Sequence, residues 1–341
     1  MSSTLVNTVL PEKILKDLGN LWTSLGEDEK KQGKPTVLRA CAMTLIVVTD
    51  DEDEDALTAS QTLVDLMHTH PSRAIVIRVA AAPESGLSAQ VLAQCWKPFG
   101  KAQQICSEQI EIQATPDRWP DIDPIILGIM VPDLPVVVWC RQKSALRRDG
   151  NAARHEGLES LFALATKVIF DTRGPNPPEA IGRLRSWQNG GRIAADLQWT
   201  RLTPWREAIA GAFDDPQLMS QRASFQTVEI VHSEPTPPSS ALYLAGWLRH
   251  GLNADVSFSQ RKGFGTGLQR VALLGPSANI ELERVGPTCA ELRAGSLRQT
   301  FALSTFSLYT AMNEELNILG PDEQFRAAFE QAQAFLPAAN R

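Results

Sequence analysis

The chain has no C-x-x-C pair, and its five cysteines, Cys41, Cys95, Cys106, Cys140 and Cys289, are odd in number. Both facts argue against a disulfide framework and against a zinc ribbon. No apolar run approaches the roughly 20 residues of a membrane-spanning helix. The longest, AMTLIVV and IILGIMV, have the length of strands or core helix segments. The N-terminal MSSTLVNTVLPEK lacks the basic start and apolar core of a secretory signal, so the expected location is cytoplasmic. An excess of basic charge is also missing. Lys and Arg number 33 against 39 Asp and Glu, a formal net charge of −6, which speaks against general nucleic-acid binding. Absent too are a G-x-S-x-G elbow, a Walker A loop and an H-E-x-x-H pair. Their absence lowers the case for an enzyme without removing it, because catalytic groups assemble in space.

What is present suits a globular protein. The 341 residues, 43% of them hydrophobic, suggest about two domains at roughly 150 residues each. Ile14 to Leu25 reads as a helix, and a charged linker follows to Pro35. Ala40 to Val48 is a buried β-branched strand. The acidic run Asp50 to Asp55 then opens a helix reaching His70, where carboxylates favour the positive end of the helix dipole. The run is contiguous and lacks the spacing of a calcium loop. Arg73 to Ala80 is the next strand, completing a βαβ-like unit with parallel pairing. Ile105 to Ala114 alternates as a half-exposed strand does. Leu134 to Cys140 is almost wholly apolar, hence central, and Lys167 to Asp171 is a further strand. Helices are expected near Ile122 to Met130, Gly157 to Thr166 and Pro178 to Asn189.

The second half changes rhythm. After a strand at Phe225 to His232 and a helix at Ala241 to His250, short runs separated by Gly and Pro resemble an antiparallel meander. Two helices close the chain. The expected fold is an N-terminal open mixed α/β sheet domain followed by a smaller α+β domain. The expected segments are 1–34 (helix and linker), 35–195 (α/β) and 196–341 (α+β).

Candidate sites are few. Gly263 to Gly267 (GFGTG) has the look of a dinucleotide loop, but a strand follows it rather than a helix, so it reads as a hairpin or flexible loop. His68 and His70 fit a helix C-terminus better than a metal site. The loop after Cys140 carries Arg141, Arg147 and Arg148, at a strand end where open α/β sheets bind ligands. It reads as a solvated loop or as a site for phosphate or an acidic partner. Cys41 and Cys140 read as buried small hydrophobes. Cys95 and Cys106 flank a turn-like segment, and a redox-responsive cysteine would be sought among these two.

DLQWTRLTPWRE, from Asp196 to Glu207, concentrates two of the eight tryptophans. Thr203 suits a helix cap and Pro204 the first helical position, although Arg206 stands where a capping box needs Glu or Gln. Trp205, Ala208, Ile209, Ala212 and Phe213 then form one buried stripe. Trp199 lies before this helix in an extended or turn segment. Arg201 and Arg206 fall off the stripe, free to hold an anion at the helix start or to pair with Asp196 and Glu207.

DLQWTRLTPWREAIAGAFD, with CAMTLIVV, HPSRAIVI, LPVVVWC and SSALYLAGWL, resembles the OpcA family of glucose-6-phosphate dehydrogenase assembly proteins. Trp199 to Arg206 is the most specific piece. The resemblance implies a protein that is not an enzyme and uses no cofactor. Its partner would be the glucose-6-phosphate dehydrogenase oligomer, which it would help assemble and activate. Thioredoxin-type redox control is implied for photosynthetic members. A sugar-phosphate or nucleotide-binding sensor or enzyme, using the basic loop after Cys140, is the alternative. No membrane is expected as a partner.

Overall fold

A computed structural model describes residues 2–6, 9–31, 37–50, 56–79, 86–97, 104–146, 152–174, 176–303 and 306–336. The chain begins β1 (Ser2–Val6), α1 (Pro11–Lys31), β2 (Leu38–Arg39), β3 (Met43–Asp50), α2 (Ala56–Thr69) and β4 (Ser72–Val79). It continues β5 (Leu87–Trp96), β6 (Ile105–Ala114), α3 (Trp119–Ile129), β7 (Val136–Cys140), α4 (Ala152–Ala163) and β8 (Lys167–Phe170). Next come α5 (Pro177–Asn189), β9 (Ile193–Asp196), α6 (Leu197–Thr200), α7 (Thr203–Ala212) and α8 (Pro216–Ser220). After β10 (Thr227–His232) and α9 (Ser239–Leu252) come β11 (Asp255–Gln260), β12 (Leu268–Leu274), β13 (Asn279–Gly286), β14 (Cys289–Ala294) and β15 (Leu297–Ala302). Two helices, α10 (Leu308–Leu316) and α11 (Glu323–Ala332), follow.

These elements build two compact units that interleave along the chain. One comprises Met1–Phe170, Gly191–Ala194 and Leu308–Gly320; the other comprises Asp171–Gly190, Ala195–Ser307 and Pro321–Arg341. The segments expected from sequence were contiguous, whereas each of these units gathers three pieces of chain.

The first unit carries the mixed α/β sheet, ordered β1-β5-β6-β4-β3-β7-β8-β9 with β2 beside β6. From β6 through β8 the pairings are parallel, while β5 joins β6 and β1 joins β5 antiparallel. Parallel strands are covered on both faces and therefore read as continuous apolar runs. Leu45 to Val48, Ile75 to Ile77 and Val136 to Trp139 are accordingly buried. The acidic residues 51–55 lie outside the described residues; of the expected linker before Pro35, residues 27–31 are instead helical, because α1 continues to Lys31, and 32–35 lie outside the described residues.

β6 departs from expectation. Its alternation suggested a half-exposed strand; the second half keeps it, with Glu111 half-buried and Gln113 exposed between Ile110, Ile112 and Ala114, but in the first half the polar residues Ser107, Glu108 and Gln109 are buried. Glu108 is tolerated there because three donors meet it. Arg73 Nε reaches Oε2 at 2.6 Å, Trp22 Nε1 donates to Oε1 at 2.8 Å, and Arg39 pairs with Oε1. A second buried pair lies in the same unit. The Lys167 ammonium, 1% exposed, bonds the Glu315 carboxylate, the Glu315 carbonyl at 3.1 Å and the Ile318 carbonyl at 2.5 Å. This bond set joins β8 to the α10 segment, which also packs on α2, with Thr69 Oγ1 donating to Asn313 Oδ1 at 2.9 Å, and so belongs to the first unit.

The second unit carries the α+β fold. Its sheet runs β11-β10-β12-β13-β14-β15, with β10 and β11 parallel and the remainder an antiparallel meander. Strands β13 and β14 alternate inward apolar residues, Ile280, Leu282, Ala290 and Leu292, with outward Glu and Arg. Helix α9 packs against α11 at Gly246, where a Cβ would overlap the Ala328 carbonyl and come within 2.8 Å of Ala332 N. Only glycine permits that approach, so Gly246 sets the spacing of the helix pair. No helix among the described residues is long and apolar enough to cross a membrane.

Candidate functional site: a polar network and cavity in the second unit

The stretch Asp196 to Glu207 forms two helical turns rather than one. Asp196 caps α6, its Oδ1 accepting from Gln198 N at 2.9 Å. Of the extended or turn segment expected around Trp199, the structure has the turn, a single helical one from Leu197 to Thr200. The Trp199 indole N–H donates to Asp322 Oδ2 at 2.8 Å, and its ring lies 5.6 Å from that of Phe325. Leu202, not Thr203, occupies the cap position of α7, which makes Thr203 the first helical residue. The incomplete capping box is reversed: Arg206 Nη2 donates to Thr203 Oγ1 at 2.9 Å. The same guanidinium stacks 3.8 Å above the Trp199 ring, a cation–π contact. The stripe is as the periodicity predicts, with Trp205, Ala208, Ile209 and Ala212 buried and Phe213 half-buried.

Arg201 pairs with neither Asp196 nor Glu207. Its Nη1 lies 2.9 Å from Asp171 Oδ2, thirty residues upstream. Asp171 also accepts from Gln198 Nε2 at 2.6 Å. Burial alone would raise the Asp171 carboxyl, but the charges of Arg201 and Arg173 and the Gln198 amide hold it below its ordinary value. Asp196 behaves oppositely. It is fully buried and accepts four bonds, from Thr172 N at 3.1 Å, Gln198 N at 2.9 Å, Thr172 Oγ1 at 2.5 Å and Tyr243 Oη at 2.7 Å. Desolvation, with the nearby Asp171 charge, outweighs those donors and pushes its pKa up to about 6. Burial and the Asp196 carboxylate together raise the Tyr243 phenol well above its usual value. Hence the network carries one carboxyl that stays charged and another that titrates near neutrality.

Beside this network lies a cavity of about 730 Å³, wholly within the second unit. Arg173, Arg201 and Arg284 line it, with Glu234 as the one carboxylate among the described lining residues. The opening residues of α9 and the loop Gly265–Gly267 complete part of the wall. GFGTG is thus no hairpin, since β10 lies between β11 and β12. Gly265 and Gly267 hold φ of +72° and +92°, and Gly267 N donates to Glu234 Oε1 at 2.5 Å. Positive φ is the reason for glycine at these positions.

Elsewhere the sequence candidates disperse. Arg141 stacks 5.1 Å from the Trp139 ring. Arg147 and Arg148 lie outside the described residues. Cys95 and Cys106 are joined by a disulfide across opposed positions of β5 and β6, their Cα atoms 4.1 Å apart. The count of five cysteines had argued against disulfides; strand register decides this pair. Cys140 is buried as expected, whereas Cys41 lies before β3 and is only half-buried. His70 meets Asn313 at 3.2 Å and His68 packs on Trp96, and no group of potential metal ligands occurs among the described residues. Sequence reasoning missed Asp171, Thr172, Arg173, Tyr243 and Arg284. Tyr243 stood within SSALYLAGWL, but nothing local linked its hydroxyl to Asp196.

Comparison with known proteins agrees with the motif reading. Residues 64–186 match the family described as glucose-6-phosphate dehydrogenase subunit N-terminal domain, and 192–329 match the corresponding C-terminal domain. A protein of Synechocystis sp. named OxPP cycle protein OpcA is 28% identical over 81% of this chain and 58% of its own length. A protein of the same name from Nostoc punctiforme is 30% identical over 57% of this chain and 41% of its own length. The chain thus spans about half the length of these curated relatives. Among solved structures, a super-repressor mutant of Gal80p from Saccharomyces cerevisiae overlaps 86% of this chain and 95% of its own, at 8% identity and TM-score 0.47. That likeness is too loose to transfer any property. The two domain matches, together extending over most of the sequence, show that the chain belongs to the OpcA family.

Proposed function

We propose that this chain is a non-catalytic assembly factor and allosteric activator of glucose-6-phosphate dehydrogenase, acting in the cytoplasm within the oxidative pentose phosphate pathway. The observation that supports this reading is the pair of domain matches to a dehydrogenase subunit family, over 64–186 and 192–329. Activation requires tighter binding to the active oligomer than to the inactive one, and coupling of this kind is typically ~1–3 kcal/mol, about 5–150-fold in affinity. Reciprocity follows: the dehydrogenase substrate tightens binding of this protein. Purified chain mixed with the dehydrogenase is expected to lower its apparent substrate affinity constant, raise turnover or enlarge its oligomer. No change in any of the three would refute the proposal.

Redox control by a thioredoxin-type reductant belongs to the same proposal. The cross-strand pair Cys95–Cys106 is its natural target, one cysteine on each of two adjoining strands. Activation measured before and after reduction, and again with Cys106→Ser, is expected to respond in the native protein only. Equal responses in both would sink the redox role.

A further inference from the structure

We propose that the cavity of the second unit binds a small phosphorylated, hydroxyl-bearing metabolite. Its volume, about 730 Å³, falls within the ~300–1,000 Å³ of small-molecule sites. The charge of its wall is unbalanced, with three arginines facing one carboxylate. That carboxylate, Glu234, is already engaged, by Gly267 N at 2.5 Å and by Ser233 Oγ at 3.2 Å. Arg201 is neutralised by Asp171, yet its Nε is buried with no hydrogen-bond partner among the described residues. A buried donor without an acceptor calls for an absent one.

Arg284 completes the argument. It is half-buried, and among the described residues its guanidinium donates to two carbonyls, Pro287 O at 2.9 Å and Leu268 O at 3.3 Å, with the Cys289 side chain as its near electrostatic neighbour. No carboxylate pairs with it among the described residues. A half-buried guanidinium facing a cavity without a carboxylate partner among the described residues is suited to a bidentate oxyanion, and phosphate matches the fork of donors best. Helix α9, of 14 residues, opens at the same wall through Ser239 and Ser240, adding the positive end of its dipole.

The remaining wall selects the rest of the ligand. Ser240 and Thr266 supply hydroxyls, and Leu268, Leu303 and Phe306 supply apolar surface. The indole of Trp205 is only 4% exposed, so it offers no open face on which a nucleobase could stack. The wall hydroxyls of Ser240 and Thr266, beside the guanidinium fork, favour a polyhydroxylated phosphomonoester over a nucleotide. This site is independent of whether the chain binds a dehydrogenase.

The test titrates the full chain by calorimetry and thermal shift with glucose 6-phosphate, ribose 5-phosphate, inorganic phosphate, glucose and AMP. One of the sugar phosphates is expected to bind saturably, at least ~10-fold tighter than inorganic phosphate or AMP, and to raise the melting temperature in proportion to occupancy. Glucose is expected to be silent. Arg284→Gln should weaken that binding by ~10-fold or more while leaving the unliganded melting temperature nearly unchanged. Thr266→Glu, on an exposed loop residue, places a carboxylate at the wall and should do the same if Arg284→Gln folds poorly. The proposal is overturned if neither sugar phosphate binds below ~1 mM, a Kd worth only about −4.1 kcal/mol. Equal affinity for inorganic phosphate or AMP, or unaltered binding in the folded variants, overturns it as well.

Discussion

The first unit buries its charges in matched sets, and the second crowds like charges together. Lys167 meets Glu315, and Glu108 is met by Arg73 and Arg39, with further carbonyls completing the cation shells. In the second unit Asp171 and Asp196 share one neighbourhood, and Arg201 answers only the first. Asp196 is held instead by neutral donors, Thr172, Gln198 and Tyr243. Matched sets hold segments distant in sequence in one fold. A carboxylate held by neutral donors keeps a proton more readily, and here it lies beside a cavity with surplus positive charge. The contrast marks the second unit as the place where protonation or an anion alters the electrostatics.

Breaking the matched side gives the largest effect. Lys167→Met strands the Glu315 carboxylate in the interior and should cost about 3–5 kcal/mol of unfolding free energy in urea titration. Glu315→Gln added to it should recover part of that loss, because the stranded charge is then gone.

Arg201→Ala carries the comparison into the second unit. It leaves Asp171 without its closest cation and should cost about 2–4 kcal/mol. It cannot serve as a clean probe of binding, since fold and site share this side chain; Arg284 is the better one.

The Asp196 carboxyl supplies a pH signature. Its pKa is raised from 3.8 to about 6 on folding, so the native state holds a proton that the unfolded chain has released. Stability therefore falls as pH rises from about 4 to 6, then levels, with a span on the order of 2–3 kcal/mol. Asp196→Asn should flatten that segment of a melting-temperature profile, whatever its own stability. A slope retained in the variant would assign the titration elsewhere.

The smallest effect is expected on the outer face of the meander, where half-buried Arg293, Glu281, Glu283 and Glu291 form a ladder that ends at the exposed Arg298. Arg298→Ala should change stability by less than ~1 kcal/mol, and the change should shrink further in high salt.

Much of this architecture was legible in the residues. The β-branched runs at β3, β4 and β7 could bury both faces only as interior parallel strands. The stripe from Trp205 to Ala212 could only be the inward side of a helix. Strand β5 was not legible, because LSAQVLAQCW lacks β-branched density and becomes a strand by pairing along β6. That same pairing created the Cys95–Cys106 bridge. Of the candidate site, Trp199, Arg201 and Arg206 could be singled out, but not their partners. Any nearby carboxylate was open to Arg201; the fold brought Asp171. GFGTG could be denied a dinucleotide role, since no helix followed it, while its place in a cavity wall was invisible.

By itself the sequence determined which faces are apolar, which segments are helical or extended, and the family signature of Trp199 to Arg206. These depend on local periodicity and on residue chemistry, and both can be read along the chain. Only the tertiary structure decided which charges meet, that Asp196 is held by hydroxyls and amides, and that three arginines from residues 173, 201 and 284 converge on one cavity. Those outcomes depend on desolvation and distance, which arise only when remote segments pack.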